Sequence, residues 1–107
     1  MTEFEELKIS LKNFASLRNW EEFHTPKNLA MALASEAGEL LAEFQWLTPE
    51  GSKGDVLTSS QLGAIKMEMA DIFLYLLILA DSLSVDLIDA ARTKMSINEQ
   101  RFPVVNP

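Results

Sequence analysis

The sequence predicts an all-α protein: a four-helix protomer whose bundle is completed by oligomerisation. Apolar residues recur at helical spacing in four segments, and no segment alternates apolar and polar residues as a half-buried strand would. The chain also lacks the Asn-Gly and Asp-Gly pairs that mark tight hairpins. Its 107 residues, 48% of them hydrophobic, fit a single domain over residues 1–107 with a modest core.

The first two helices are predicted from apolar periodicity and from a helix start signal. The first is expected over residues 2 to about 19, where apolar side chains recur every three or four positions: Phe4, Leu7, Leu11, Phe14 and Leu17. Thr25 before Pro26 is a favourable start, because the hydroxyl caps free amide groups and proline at the first helical position has none to satisfy. The second helix is then expected to reach about Leu47.

The second half of the chain predicts a loop and two further helices. Residues 48–60, TPEGSKGDVLTSS, read as a loop because they combine glycine, proline and hydroxyl residues. A third helix is expected from near Ser60 to about Leu83. Ser84 or Asp86 can cap a fourth that reaches roughly Gln100, and the tail RFPVVNP is stopped by Pro103.

Composition excludes several classes of protein. The formal charge of -7 argues against unaided binding to nucleic acid, and the absence of cysteine rules out disulfides and zinc–thiolate sites. The longest apolar run, IFLYLLILA, is far shorter than the ~20 residues that span a bilayer, and the amino terminus does not resemble a signal peptide. We therefore expect a cytoplasmic protein with no membrane or nucleic-acid partner.

Two acidic pairs lie on the most apolar helices. Glu36 and Glu39 on the second helix, and Glu68 and Asp71 on the third, are each spaced three residues apart and so share a helix face. Their neighbours three and four positions away are mostly apolar, and no lysine or arginine is among them for Glu36, Glu68 or Asp71. The pairs are therefore candidates for burial without a neutralising partner on their own helix.

Such a cluster favours a bound cation. Two carboxylates 4 Å apart repel by about 4 kcal/mol at an effective dielectric of 20, so four on packed helices need either protons or a cation. Oxygen ligands without Cys or His favour Mg²⁺, with Mn²⁺ as a substitute. The alternative is a solvated acidic face on a non-enzymatic helical dimerisation module. A di-iron site is disfavoured, because it needs Glu-x-x-His pairs and the chain has a single histidine, His24.

The same two helices predict self-association. LAMALASEAGELLAEF and MADIFLYLLILAD are apolar around most of their circumference, and such helices must be buried on several sides. A protomer of four helices is too small to cover them, so we expect a homo-oligomer, either a dimer or a tetramer formed from two dimers. Glu43 shares the acidic stripe of the second helix, but a supporting or structural role is expected for it.

The acidic pairs and four further stretches resemble the MazG-like nucleoside triphosphate pyrophosphohydrolases, and within them the small dCTP pyrophosphatase branch. The stretches are RNWEEFHTPKNLAMAL, GELLAEFQW, EMADIFLYLL and KMSINEQRFP, which occur in the same order and cover most of residues 18–103. The resemblance implies cleavage of a triphosphate between its α and β phosphates, giving a monophosphate and pyrophosphate, in nucleotide-pool house-cleaning. It also implies that Glu36, Glu39, Glu68 and Asp71 bind the magnesium and carry catalysis.

The resemblance assigns further residues to the substrate. Six positions match substrate-binding positions of the branch: Trp20, Trp46 and Tyr75 around the base, Lys94 and Asn98 on the fourth helix, and Phe102 beyond it. His24 and Asn28 belong to the WxxFHxPxNL stretch, where capping or structural roles are expected.

Two positions depart from the family pattern. Ser35 stands where many family members carry another glutamate, which bears on the number of metal ions. Phe102 stands where the branch often has tyrosine, and the missing hydroxyl bears on base preference.

Overall fold

The computed structural model describes residues 1–105, and within them the chain forms four α-helices and no strand. The helices are α1 (Glu3–Leu17), α2 (Pro26–Phe44), α3 (Ser59–Ser82) and α4 (Leu87–Arg101), and short 3-10 turns cover Glu21–Phe23 and Glu50–Ser52. The all-α prediction and the number of helices in this part of the chain are confirmed. The last two residues of the predicted tail, Asn106 and Pro107, lie outside the described residues.

Each helix begins at a side-chain cap that the local sequence provides. The cap oxygen accepts a hydrogen bond from the backbone amide three residues later at Thr2 (3.1 Å), Thr25 (3.2 Å), Thr58 (3.1 Å) and Asp86 (3.0 Å). In α1 and α3 the side chain three residues after the cap also accepts a hydrogen bond from the backbone amide of the cap residue, which completes a capping box. The start predicted at Thr25 is confirmed, and of the two predicted caps of α4, Ser84 and Asp86, the structure uses Asp86. Helix α3 begins one residue earlier than expected.

Helix α2 is shorter than the sequence suggested. It ends at Phe44, and the amide of Leu47 donates to the Phe44 carbonyl (2.9 Å), which closes a tight turn instead of another helical turn. Pro49 follows shortly afterwards, and proline disfavours helical backbone at the residue before it. Trp46 consequently lies in this turn with 88% of its surface exposed.

The core sits between α2 and α3, which form the main helix–helix interface. Five apolar residues of the described chain are buried, namely Ala15, Leu29, Ile65, Leu77 and Ala80, and the side chains of Leu29 and Leu77 are fully so. Helix α1 packs on α3 over a smaller area, with the Phe4 ring edge-on to Phe73 at 5.8 Å. Helix α4 has no interface of comparable size with the rest of the described chain.

The protomer is more open than a compact protein of its size. Its radius of gyration is 17.3 Å, whereas about 13 Å is expected for 107 residues. Its accessible surface is 8374 Å², compared with about 6,000 Å² for a compact monomer of this mass. Large apolar side chains of α2, α3 and α4 remain in solvent, among them Met31, Leu41, Met67, Met69 and Met95. None of the helices described is both long and apolar enough to traverse a bilayer.

Candidate metal centre

Three of the four predicted acids converge where α2 faces α3. Glu36 and Glu39 lie one turn apart on α2, and Glu68 reaches towards them from α3. Each offers one carboxylate oxygen, and these oxygens all lie within 4.8 Å of one another. The i, i+3 spacing therefore places Glu36 and Glu39 on one face of α2, and the packing of α3 against α2 adds the third carboxylate.

The protein provides few partners for the carboxylates of this cluster. One carboxylate oxygen of Glu36 and one of Glu68 (Oε2 in both) are buried and have no hydrogen-bond partner. The ion pairs found among residues 1–105 join Lys8 and Lys12 to Asp81, and Lys53 to Glu50, so none reaches the cluster. A buried acceptor without a partner carries its full desolvation cost, and more so when it is charged.

This environment disfavours negative charge on Glu36 and Glu68. The pKa of Glu36 is raised from its usual 4.5 to about 7, chiefly by burial and then by the hydrogen bond with Glu39 and the nearby charges of Glu39, Asp71 and Glu68. Burial is also the largest cause that raises the pKa of Glu68, followed by the hydrogen bond with Glu39 and the charges of Glu39 and Asp71. Either a shared proton or a cation would relieve the cluster.

Asp71, the fourth predicted acid, lies beside the cluster but is not one of the three converging carboxylates. It lines a cavity of about 290 Å³ between α1 and α3. The cavity walls are formed by Leu11, Phe14, Ala15, Trp20, His24, Asp71, Leu74, Tyr75 and Ile78. Asp71 thus connects the acidic cluster to a mainly apolar cavity that holds two of the predicted base-binding aromatic residues.

Trp20 and Tyr75 both line this cavity. Trp20 follows α1 and packs edge-on against Phe14, with 5.5 Å between the ring centroids. Tyr75 lies one turn after Asp71 on α3. A flat ring in this cavity would meet aromatic surface close to Asp71, an arrangement suited to a nucleobase.

The other predicted substrate residues lie elsewhere in the protomer. Trp46 and Lys94 are exposed, Asn98 is half-buried on α4, and Phe102 is 69% exposed with the Arg101 guanidinium 5.1 Å from its ring. None of them lines the cavity beside Asp71. Within one protomer, therefore, the predicted substrate residues form no single site.

Two further predictions concern the segment before α2. The Asn28 side chain donates to the Phe23 carbonyl (3.1 Å) and so ties the 3-10 turn to the start of α2, which is the structural role expected for it. His24 instead is half-buried and lines the cavity. Leu11 and Phe14 of α1 also line it, and sequence reasoning missed all three as site residues. The helical spacing of Leu11 and Phe14 indicated a buried face, but not what that face covers.

Comparisons with known proteins identify the family. The family model described as MazG nucleotide pyrophosphohydrolase domain matches residues 24–106. The chain is 39% identical to dCTP pyrophosphatase 1 of Bos taurus over 94% of its length, and 38% identical to that of Homo sapiens over 92%. It spans 59% and 58% of those two relatives, so it corresponds to a little over half of each.

A solved structure shows the same fold. A crystal structure of a pyrophosphatase from Archaeoglobus fulgidus aligns with a TM-score of 0.88 and 38% sequence identity, over 97% of this chain and 95% of that one. The family resemblance predicted from the acidic pairs and the flanking motifs is therefore confirmed. The chain belongs to the MazG nucleotide pyrophosphohydrolase family.

Proposed function

We propose that the protein is a Mg²⁺-dependent pyrophosphohydrolase of (deoxy)nucleoside triphosphates, dCTP or a related deoxynucleotide among them. Water cleaves the bond between the α and β phosphates and gives a nucleoside monophosphate and pyrophosphate, which would clear unwanted nucleotides from the pool. The observation that carries this proposal is the pair of buried, unpartnered carboxylate oxygens of Glu36 and Glu68 beside Glu39. Family membership and the names of the relatives support the same reaction.

The donor set fits a hard divalent cation. Glu36, Glu39 and Glu68 offer three converging oxygens, and Asp71 stands close enough for its charge to act on two of them. Carboxylate oxygens are the ligands that Mg²⁺ and Mn²⁺ prefer. When bound, the ion would supply charge neutralisation at the phosphates and would lower the pKa of water. We propose these four acids as its ligands.

We propose that residues of one protomer place two parts of the substrate. The carboxylates would hold the triphosphate through the shared cation at one end of the site. Trp20 and Tyr75 would receive the base in the adjoining cavity, with Asp71 at the boundary between the two regions. Glu39 is the exposed member of the cluster and so meets solvent, from which the attacking water must come.

The remaining predicted residues lie away from the acidic cluster and the adjoining cavity of their own protomer. Lys94 and Asn98 lie on α4, which leaves the body of the protomer, and Trp46 projects into solvent beside the end of α2. We propose that a homo-oligomer, a dimer or a tetramer of two dimers, brings these residues and Phe102 to a neighbour's acidic site. The open shape and the exposed apolar residues of α2 and α3 support this proposal. Light scattering that finds a monomer at micromolar concentration would contradict it.

A panel of triphosphates tests the reaction. The purified protein is incubated with dCTP, dATP, dUTP and dTTP in the presence and absence of Mg²⁺, and monophosphate and pyrophosphate are quantified. We expect equal amounts of the two products from at least one triphosphate, and only when Mg²⁺ is present. Release of orthophosphate instead of pyrophosphate, or no turnover of any triphosphate, would contradict the proposed reaction. The second of these results would favour a helical dimerisation module.

A further inference from the structure

A second cavity adjoins the one beside the acidic cluster. It has a volume of about 150 Å³ and shares Leu11, Ala15, His24 and Ile78 with the first cavity. Its remaining lining is polar and consists of Lys12, Glu21, Asp81 and Ser82. The space between α1 and α3 is therefore apolar near Trp20 and Tyr75 and becomes polar farther along α3.

The polar end is centred on Asp81. Its two carboxylate oxygens face Lys8 Nζ at 3.6 Å and Lys12 Nζ at 3.4 Å, and 26% of the side chain is exposed. Charge-assisted hydrogen bonds normally measure about 2.7–2.9 Å, so these longer lysine contacts leave part of the acceptor capacity of the carboxylate unused. The carboxylate thus offers a fixed hydrogen-bond acceptor to whatever enters the second cavity.

The position of Asp81 relative to the acidic cluster suits a nucleotide. Asp71, Tyr75, Ile78 and Asp81 follow one stripe of α3, and Asp81 lies ten residues beyond Asp71, which is about 15 Å along the helix axis. Phosphates held at the acids would place the sugar and then the base in the direction of Asp81. The base edge that points away from the sugar would then face this carboxylate.

We infer that Asp81 selects bases that carry an amino group at the position of N4 of cytosine or N6 of adenine, an inference that rests on the proposed pyrophosphohydrolase function. Cytosine and adenine carry an amino donor at this edge, which a carboxylate accepts, whereas thymine, uracil and guanine carry a keto oxygen. A keto oxygen and the carboxylate are both hydrogen-bond acceptors, so they cannot bond to each other. Both groups would lose their hydrogen bonds to water without replacement. Lys12 beside Asp81 supplies a donor for the adjacent unprotonated ring nitrogen of cytosine or adenine.

The test compares substrates that differ at this edge alone. In the wild type, kcat/KM should be higher for dCTP than for dUTP, and for dATP than for dITP if purines are accepted. Asp81→Asn keeps the size but can donate as well as accept, so the amino-to-keto ratio should fall by about tenfold, the scale for one unsatisfied buried polar group. A wild type that prefers dUTP to dCTP, or an unchanged ratio in Asp81→Asn, would overturn the inference.

Lys8→Met separates base selection from a purely structural role of Asp81. Lys8 forms an ion pair with Asp81 but lines neither of the two cavities. The variant therefore weakens the same α1–α3 contact while keeping the Asp81 carboxylate as a hydrogen-bond acceptor. We expect it to change kcat/KM for amino and keto substrates by the same factor and to leave their ratio unaltered. A ratio that falls as far in Lys8→Met as in Asp81→Asn would assign the effect to packing and refute base selection. Absence of turnover in the wild type with every triphosphate would instead refute the proposed function itself.

Discussion

Helix α3 carries two half-buried acids, Glu68 and Asp81, whose surroundings differ in charge. Near its C-terminal end, Asp81 faces Lys8 and Lys12 of α1, at 3.6 and 3.4 Å. Near its middle, Glu68 faces Glu36 and Glu39 of α2, and one oxygen on each of Glu68 and Glu36 lacks any partner. The first arrangement joins two helices, whereas the second places like charges between two helices.

The difference identifies which acids need a cation from outside the chain. A carboxylate that the chain itself neutralises contributes to folding, although modestly when it is partly exposed. A cluster that the chain leaves uncompensated opposes folding until a proton or a cation arrives. The α2–α3 interface tolerates this cost because it is the main apolar interface of the protomer, with Leu29, Ile65 and Leu77 buried in the core.

The largest expected effect is the loss of activity in Glu68→Gln. This change removes a charge from the cluster but keeps the shape of the side chain. We expect turnover of a triphosphate substrate to fall about a hundredfold or more, the scale for losing one preorganised electrostatic contact. The melting temperature without Mg²⁺ should stay the same or rise, because repulsion is relieved.

Glu43→Gln is the matched control for this experiment. Glu43 is exposed and lies one turn after Glu39 on α2, so the variant removes the same charge just outside the cluster. Its activity should remain close to that of the wild type. If Glu68→Gln unfolds the protein, Glu68 is a structural partner and its placement in the metal centre is wrong.

A smaller effect is expected in the pH dependence of stability. The pKa of Glu36 is about 7 in the fold and near 4.5 when unfolded, and that of Glu68 is also raised. Between pH 4.5 and about pH 7 the folded state holds protons that the unfolded chain releases, so the free energy of unfolding falls as the pH rises over this range. Thermal melts with EDTA between pH 5 and pH 8 measure this slope, and Glu36→Gln should flatten it. A wild type that gains stability towards pH 8 without metal would contradict the assignment.

The smallest effect is expected at Asp81, the acid of α3 that forms ion pairs with α1. Replacing Lys8 and Lys12 together by methionine removes both partners of Asp81 and weakens the attachment of α1. Because these ion pairs are partly exposed, the loss of stability should be roughly 1 kcal/mol or less, measured by urea unfolding at low salt. The difference from the wild type should shrink at high salt, since exposed ion pairs are screened. A salt-independent loss would mean that the lysine stems act by packing instead.

Much of the fold and part of the site follow from local sequence. The helix start at Thr25 was predictable, and that of α4 was narrowed to Ser84 or Asp86, because caps depend on residues within one turn. The acidic pairs were recognisable since the i, i+3 rule fixes which side chains share a face. Their apolar surroundings then indicated that Glu36 and Glu68 lack a cation on their own helix.

The rest depends on contacts between distant parts of the chain. The cavity beside Asp71 exists because α1 lies across α3, and nothing local to Leu11 or His24 indicates that they would share a wall with Tyr75. The ion pairs of Asp81 likewise join residues about seventy positions apart. The early end of α2 at Phe44 displaced Trp46 from the helix on which the sequence had placed it.

The most direct measurement is the change in melting temperature on adding Mg²⁺ at pH 7.5, in the wild type and in Glu36→Gln/Glu68→Gln. At ten times the dissociation constant, binding stabilises the fold by about 1.4 kcal/mol, which is roughly 5 °C for a domain of this size. We predict such a rise in the wild type and none in the double variant, whose metal-free protein should melt no lower than the wild type. Equal responses of the two proteins to Mg²⁺, or no response in either, would show that these carboxylates do not form the metal centre.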